Sequence, residues 1–299
     1  LHEVRDEYPK QNARQICSRL RCAHGELVDP LEVQEVEGEP TEDIDVYTDG
    51  GGRHPERQDL AVGGFGVWVP DKPGQQAEQD DARCLGELSK MTIWQKGQGG
   101  TALWSSMLGY WFSSARAELM GLIAALVIPR PIHVGIDNAT VVRNANYYLN
   151  KAKAEDSGAA QADRKSRRPW MLTNDGDLWK VAWRMIRQRG PASIRVSKVK
   201  GHATDQMVEE GKVKAADKEG NDKADTAATS GIALCGEGII QLCTWIKARH
   251  KGYVKFLSDV SAITAAVLKE DKQKREESEK EKKKQNPAHI QNARRMTGC

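Results

Sequence analysis

The stretch DVYTDGGG, residues 45–52, ends an alternating apolar run on a carboxylate, Asp49, and places three glycines directly after it. The alternation predicts a strand over residues 44–49. Because Asp-Gly is a common way to leave a strand, one interpretation of this stretch is a simple turn. The other is a site in which Asp49 holds a ligand and the bare glycine backbone lets that ligand approach. The stretch by itself leaves both interpretations open.

Composition limits the class of protein. The chain has 299 residues, 39% apolar and 29% charged, which predicts a soluble globular core with charged additions. It has no run of about 18 apolar residues, so we expect neither a membrane-spanning helix nor a membrane partner. The net charge of +3 is too small to indicate nucleic-acid binding by itself. The six cysteines form no CxxC pair, which favours reduced thiols in an intracellular compartment. The pattern does not distinguish the nucleus from the cytoplasm.

The central part of the chain alternates between strand and helix patterns. Apolar periodicity predicts strands at 44–49, 63–70, 132–137 and 193–200, a further short strand at 83–88, and helices at 115–128, 139–149, 177–188 and 220–231. Residues 71–100 are polar and rich in glycine and glutamine, which indicates a loop or insertion around the short strand. This order predicts an α/β fold with a mixed five-stranded sheet flanked by helices.

The two ends of the chain have different patterns. Residues 1–43 are expected to be an N-terminal extension with a short amphipathic helix and an acidic linker broken by prolines. Residues 232–299 are expected to be a helical, charged C-terminal extension with two amphipathic helices, one of which has Phe256, Val260, Ile263 and Val267 on one face. Residues 269–284 are so highly charged that a solvated helix or a disordered tail is expected there.

Four acidic residues stand at comparable places in the central elements. Asp49 and Asp137 each end a predicted strand, and ligand sites in α/β sheets tend to lie just beyond strand ends. Glu118 lies in the first turn of an otherwise apolar helix, and Asp225 lies near the start of the last helix of this region. Each residue alone is explained by a turn or by the helix dipole, which favours acids near a helix N-terminus.

Five motifs follow one another along the chain: YTDGG, ARAELMGLIAAL, VGIDNATVV, VKGHATD and GNDKADTAA. Together they resemble the type 1 ribonuclease H family over residues 44–231, and NDGDLWKVAWRMI resembles the helix after that family's basic substrate handle. The resemblance implies a ribonuclease H-like fold and an endonuclease that hydrolyses the RNA strand of RNA–DNA hybrids. It also implies that Asp49, Glu118, Asp137 and Asp225 are catalytic metal ligands, and that His202 is a mobile catalytic histidine near the scissile phosphate.

The chemistry of phosphodiester hydrolysis agrees with such a set of acids. The reaction needs an activated water and relief of charge on the attacking and leaving oxygens, which two divalent ions supply. Mg²⁺ prefers oxygen ligands, so two Mg²⁺ ions, with Mn²⁺ as an alternative, are the expected cofactors. Crowded acids without a metal would repel one another, so a cation site is the simplest explanation of the cluster. Asp49, on the expected central strand, would bridge both ions.

A basic segment, residues 151–168, lies between two of the predicted helices. It has six basic residues against three acidic ones, which a solvated loop would also explain. By resemblance it is the handle that grips the duplex, where phosphate contacts supply much of the affinity. Ser113 matches a phosphate-contacting threonine of the family, and both Ser113 and Ser114 could contact the 2′-hydroxyls that distinguish RNA from DNA. The candidate substrate-binding residues are Gly50, Ser113, Ser114, Arg116, Arg164, Lys165, Arg167 and Arg168.

Some features depart from the family pattern. Ala115 and Ala139 stand where relatives often have asparagine or glutamine in contact with bases, and MVEEGKVKAADKEG lengthens the loop between His202 and Asp225. Two alternatives therefore stay open: a catalytically silent nucleic-acid-binding or tethering domain, and a DNA-processing nuclease of the same fold. The complete set of acids and the KGHA motif favour hybrid cleavage. The flanking extensions resemble pieces of a retroelement polyprotein, so other modules of a parent polyprotein are expected partners.

Overall fold

The computed structural model describes residue 33 and residues 35–57, 60–71, 93–107, 112–158 and 170–285. The strands in these ranges are β1 (Val46–Arg53), β2 (Val62–Pro70), β3 (Ile93–Gly97), β4 (Gly100–Ser106), β5 (Ile132–Ile136) and β6 (Ile194–Lys198). The α-helices are α1 (Ser114–Ala125), α2 (Ala139–Asp156), α3 (Gly176–Arg189), α4 (Asp205–Glu209), α5 (Ala215–Ala233) and α6 (Glu237–Gln285). Short 3-10 turns occur at Trp170–Leu172 and Pro191–Ser193.

The strands form one mixed sheet in the order β3-β4-β2-β1-β5-β6. The first four strands pair antiparallel, whereas β5 is parallel to β1 and β6 is parallel to β5. The predicted α/β class and mixed sheet are confirmed, but the described sheet has six strands rather than five. The prediction missed β3 and β4 because their polar and glycine-rich residues show little alternation of apolar and polar side chains. Pairing with β2 makes β4 a strand, and this pairing cannot be seen in the local sequence. The short strand predicted at 83–88 lies outside the described residues.

β1 does not end at Asp49. It continues through Gly50, Gly51 and Gly52 to Arg53, and each of these residues pairs with a residue of β2. The turn interpretation of this stretch is therefore wrong, because the antiparallel ladder with β2 holds the glycines in extended backbone. The parallel partner β5 runs alongside only the first three residues of β1. Asp49 is thus the first residue of β1 beyond its pairing with β5.

Helices cover both faces of the sheet. On one face α1, α2 and α3 pack with β5 and its neighbours into the main hydrophobic core, and every residue of β5 is buried. On the other face α5 lies across β1, β2 and β4, where Ala224 packs with Tyr47 and Trp68. α5 begins at Ala215, inside the segment expected to lengthen a loop, because that segment forms α4 and the first turns of this helix.

The chain divides into two compact units, Leu1–Thr244 and Trp245–Cys299. The two amphipathic helices predicted for the C-terminal region are one helix, α6, since no proline interrupts residues 237–285. The C-terminal region is helical as predicted, and residues 269–284 form a solvent-exposed part of α6. Within the described ranges, none of the helices has both the length and the apolar character that a bilayer crossing requires.

Candidate metal centre

The register between β1 and β5 brings two of the four acids together. Thr48 pairs with Ile136, which is the last residue of β5. The next residues, Asp49 and Asp137, therefore leave the paired region side by side, because the two strands are parallel. Asp49 is buried and Asp137 is half-buried.

Glu118 reaches the same place from α1. A Cβ atom at Gly50 would lie 2.3 Å from the backbone nitrogen of Glu118, so α1 can lie this close to β1 only because residue 50 has no side chain. The Ser113 hydroxyl accepts a hydrogen bond from the backbone N–H of Arg116 at 3.0 Å and so begins α1 at this point. Close packing of α1 on β1 therefore requires glycine directly after Asp49, and the ligand contact expected at Gly50 stays a prediction.

Asp225 comes from the opposite face of the sheet, on α5. Gly66 is the partner of Asp49 in β2, and a Cβ atom there would lie 2.3 Å from the carbonyl oxygen of Ala224. The missing side chain lets α5 lie directly on the strand. The next residue of α5, Asp225, consequently lines the same cavity as Asp49.

His202 lies in the loop after β6, next to one of the acids. A Cβ atom at Gly201 would lie 2.1 Å from Oδ2 of Asp137, so a side chain at that position would force this carboxylate to move. His202 itself has a φ of 50°, a left-handed conformation that is uncommon for residues with side chains. The residue is exposed and lines the cavity that contains the acids.

The acids surround an open cavity of about 460 Å³. Its lining comprises Asp49, Gly50, Gly51, Ser114, Glu118, Asp137, Asn138, Ala139, Thr140, His202 and Asp225. All four predicted metal ligands, the predicted catalytic histidine and two predicted substrate-binding residues therefore meet in one place. Carboxylate oxygens of Asp49, Glu118 and Asp137 lie within 4.8 Å of one another, and Asp225 lies outside this tight group.

Burial and mutual repulsion disfavour full ionisation of the tight group. Burial raises the pKa of Asp49 to about 6; a hydrogen bond with Glu118 opposes this rise, and the charge of Asp137 adds to it. Burial, followed by the charges of Asp49 and Asp137, raises the pKa of Glu118 well above its ordinary value. At neutral pH these carboxylates must therefore share protons or share a cation.

The residues fit a divalent cation. Oε2 of Glu118 is buried and has no hydrogen-bond partner among the residues that the structure describes. A buried acceptor of this kind costs free energy unless a donor or a cation meets it. The backbone N–H of Gly50 donates to Oδ1 of Asp49 at 2.8 Å and so orients that carboxylate. Oriented carboxylate oxygens at this spacing are the ligands that Mg²⁺ prefers.

Arg116 is buried, and its guanidinium is bound to two carboxylates. It donates to Asp177 at 2.9 and 2.6 Å and to Asp175 at 3.3 Å. Burial disfavours the charged form, but the two aspartates outweigh it and raise the pKa of Arg116. This ion pair joins the N-terminal turn of α1 to that of α3. The geometry therefore gives Arg116 a role in positioning α1, and the substrate contact expected of it stays a prediction.

The remaining predicted substrate-binding residues differ in what surrounds them. Ser114 is exposed at the edge of the cavity, whereas the hydroxyl of Ser113 caps α1. The four basic residues of the proposed handle, Arg164, Lys165, Arg167 and Arg168, lie outside the described residues.

Asn138 is a cavity residue that the sequence analysis missed. Its side-chain oxygen accepts hydrogen bonds from the backbone N–H groups of Thr140 and Val141 at 3.0 and 3.2 Å, which begins α2 at the cavity wall. Asparagine directly before a helical run is a typical N-cap, so this signal could have placed the start of α2 beside Asp137.

Known structures similar to this chain include two of interest. One is LC9-RNase H1, a type 1 RNase H with the type 2 active-site motif, at 19% identity and a TM-score of 0.35, covering 64% of this chain and 75% of that one. Another is a foamy viral protease-reverse transcriptase in complex with double-stranded DNA, at 14% identity and a TM-score of 0.34, covering 70% of this chain and 99% of that one. A scan against protein-family models finds no match, and neither does a search of curated proteins.

The fold is ribonuclease H-like. Both TM-scores are below 0.5, so the fold is assigned from the chain's own sheet and helices and not from these two structures. The mixed sheet with helices on both faces has the arrangement that the sequence resemblance implied. Acids from β1, α1 and α5, and from the residue that follows β5, meet at one place on this sheet.

Proposed function

We propose that this domain is a divalent-metal-dependent nuclease that hydrolyses the RNA strand of RNA–DNA hybrids. The cluster of Asp49, Glu118 and Asp137 supports this most strongly, because its oxygens lie within 4.8 Å of one another and include a buried oxygen of Glu118 that no described residue meets with a hydrogen bond. Such a cluster is stable at neutral pH chiefly around a cation. The cavity beside it is open to solvent and gives a phosphodiester access to the acids.

The proposed mechanism divides the work between metal and protein. Two Mg²⁺ ions, when bound, supply an activated water and stabilise charge on the attacking and leaving oxygens. Asp49, Glu118, Asp137 and Asp225 would hold the ions, and Asp49 would contribute its carboxylate from a central strand of the sheet. Side chains from both faces of the sheet thereby fix the reacting geometry before the substrate arrives. His202, exposed at the cavity, would take or give a proton at an imidazole nitrogen.

Residues at the cavity edge and in the basic segment would bind the hybrid substrate. Ser114, exposed at the cavity edge, offers a hydroxyl group to a phosphate or a 2′-hydroxyl. The basic segment, residues 151–168, would add contacts to phosphates. We further propose that residues 44–231 are the catalytic domain and that residues 1–43 and 232–299 are extensions within a retroelement-type polyprotein.

Incubating the full chain with a labelled RNA–DNA hybrid in Mg²⁺, Mn²⁺ or EDTA tests the proposed function. We expect cleavage of the RNA strand with either ion and none in EDTA. Binding of the hybrid without cleavage would indicate a silent binding or tethering module. Preferential cleavage of a DNA duplex would indicate a DNA-processing nuclease of the same fold.

We expect His202→Ala to lower kcat by about 100-fold, the low end for general acid–base catalysis, while leaving Mg²⁺ affinity unchanged. The imidazole lines the cavity but lies outside the tight carboxylate group, so its loss removes proton transfer and not the metal. Single-turnover cleavage and calorimetric Mg²⁺ titration measure the two quantities. Glu209→Ala, in an exposed position on α4, is the control and should change neither. Loss of Mg²⁺ binding in the His202 variant would show that its role is misassigned.

Replacing Arg164, Lys165, Arg167 and Arg168 together by alanine should weaken hybrid binding. Each lost phosphate contact should also lower the slope of log affinity against log salt by about 0.9. The rate at saturating substrate should change little, because these contacts bind ground state and transition state alike. Hybrid titrations at several salt concentrations measure the slope.

A matched control removes the same number of charges elsewhere. Lys280, Lys282, Lys283 and Lys284 lie in the exposed last part of α6, so replacing them by alanine changes the net charge equally. A slope that is the same in both variants would show that the basic segment is only a solvated loop.

A further inference from the structure

α6 has an exposed apolar stripe that the proposed nuclease activity does not use. Its members are Tyr253, Phe256, Val260, Ile263 and Val267, spaced alternately by three and four residues. Their exposed fractions run from 42% for Val260 to 65% for Ile263. Contiguous apolar surface of this kind on a soluble protein marks a contact surface.

The spacing of this stripe indicates what kind of partner it fits. Tyr253, Val260 and Val267 are seven residues apart and take one heptad position, while Phe256 and Ile263 take the other apolar position. This spacing follows the heptad repeat of a coiled coil, about 3.5 residues, over two heptads. An apolar stripe of this period stays aligned with a partner over several turns when the partner is a second supercoiled helix. The stripe therefore fits a helix.

The other side of α6 is suited to water. Ser258 and Ala265 lie opposite the stripe and are exposed. Beyond the stripe the helix has ion pairs four residues apart, for example between Arg275 and Asp271 at 2.9 Å. Such pairs stabilise an exposed helix by small amounts without a partner. Contact is thus expected along the stripe and not around the whole helix.

We propose that the stripe binds the same stripe of a second copy of this chain, as an antiparallel two-stranded coiled coil over residues 246–270. Charge at the two ends of the stripe supports a self-pair in this orientation. Arg249 and Glu270 continue the heptad spacing and bound the apolar residues. In a parallel pair each would face its own copy, and like charges facing each other are unfavourable. In an antiparallel pair Arg249 lies within one helical turn of the partner's Glu270, at both ends of the two-fold pair.

Side-chain size agrees with the antiparallel arrangement. The two apolar heptad positions then meet each other across the pair, so that Tyr253 faces the partner's Ile263 and Phe256 faces the partner's Val260. The four layers formed by these residues thus each combine one aromatic and one β-branched side chain, which fills the space between the helices evenly, and Val267 lies at either end opposite the partner's Arg249. Glu270 also pairs with Lys274 of its own helix at 2.8 Å, and exposed ion pairs of this kind rearrange readily.

The apolar area is sufficient for a specific but modest interface. Each helix would bury two aromatic and three aliphatic side chains of the stripe and the flanking Leu257, which are each about half exposed. Summed over both helices, the buried area is roughly 1,200 Å². This is the lower end of the range for specific protein–protein interfaces, so we expect a dissociation constant on the order of micromolar.

Sedimentation equilibrium of the full chain tests the self-association. We expect the wild-type chain to pass from monomer to dimer between about 1 and 100 µM. Val260→Asp should keep it monomeric over this range, because the substitution places a charge in the seam. Ala265→Asp, which puts the same side chain on the opposite face of the same helix, should still dimerise, and circular dichroism should show equal helix content in both variants. A monomeric wild type, a dimeric Val260→Asp variant or a monomeric Ala265→Asp variant would each overturn the proposal.

Disulfide cross-linking tests the orientation. We expect a mixture of Phe256→Cys and Val260→Cys chains to form a disulfide between positions 256 and 260 under mild oxidation, identified by the mass of the linked peptides. Each variant alone should link to itself much less, because identical residues are offset in the antiparallel pair. Strong linkage of 256 to 256 and of 260 to 260, with little in the mixture, would contradict the antiparallel arrangement. None of the stripe residues belongs to the described lining of the cavity, so this result is independent of whether the nuclease proposal holds.

Discussion

Asp49→Asn should lower the rate of Mg²⁺-dependent hybrid cleavage by more than about 100-fold. Asp49 lies on a central strand, with its carboxylate oxygen within 4.8 Å of those of Glu118 and Asp137. An amide has the same shape but cannot supply the negative charge that holds a cation between these acids. Single-turnover cleavage at saturating Mg²⁺ measures the loss. A variant that keeps more than about a tenth of the wild-type rate would contradict the metal-bridging role.

The same substitution should stabilise the metal-free protein at neutral pH. Burial raises the pKa of Asp49 from an ordinary 3.8 to about 6, so folding favours the protonated acid. This contribution to stability is complete below the unfolded-state pKa and is lost as the pH rises through the folded-state pKa. The loss is on the order of 3 kcal/mol, because each pKa unit corresponds to about 1.4 kcal/mol. Asparagine cannot ionise, so the variant should escape this loss.

Thermal unfolding in EDTA between about pH 4 and pH 7 measures this effect as the difference between variant and wild type. The variant should gain stability relative to the wild type as the pH rises, and Mg²⁺ should stabilise only the wild type. Asp222→Asn, in an exposed part of α5, is the control and should change neither cleavage nor the pH profile. A variant that is less stable than the wild type at pH 7 would show that Asp49 supports the fold by some other contact.

Gly66→Ala should destabilise the protein by about 3 kcal/mol, although it adds only one methyl group. That methyl would lie 2.3 Å from the carbonyl oxygen of Ala224 and 2.4 Å from the backbone nitrogen of Ala228, so α5 would have to move away from β2. Backbone atoms of a packed helix cannot rotate aside as a flexible side chain can. Because Asp225 follows Ala224, the movement should also carry one of the acids out of place. Urea unfolding and hybrid cleavage measure the two effects.

Gly97→Ala provides a matched control in the same sheet. A Cβ atom at Gly97 would have its nearest neighbours at 3.9 and 4.0 Å, which is ordinary contact distance. We expect its free energy of unfolding to stay within about 1 kcal/mol of the wild type, since alanine has the lower entropy cost in a strand. Equal losses in the two variants would mean that glycine at 66 is not required for helix packing.

Much of the site could be predicted from the sequence because its signals are local. Alternating apolar residues mark β1 and β5, and the type and order of the acids after or within the elements are visible without any structure. The apolar spacing of Phe256, Val260, Ile263 and Val267 likewise predicted a helical face. These features depend on residue type and period, which the chain carries in its own order of residues.

Only the tertiary structure decided which groups meet. The parallel register sets Asp49 beside Asp137, and glycines at 50 and 66 let α1 and α5 approach the sheet closely enough to bring Glu118 and Asp225 to the same cavity. Local sequence left a turn open for the glycines after Asp49, because only the pairing with β2 shows that they are extended. It also gave no sign of the ion pairs of Arg116, because the carboxylates that bind it lie about sixty residues further along the chain. Pairing, close packing and ion pairs between distant residues depend on the whole fold, so no local pattern of residues predicts them.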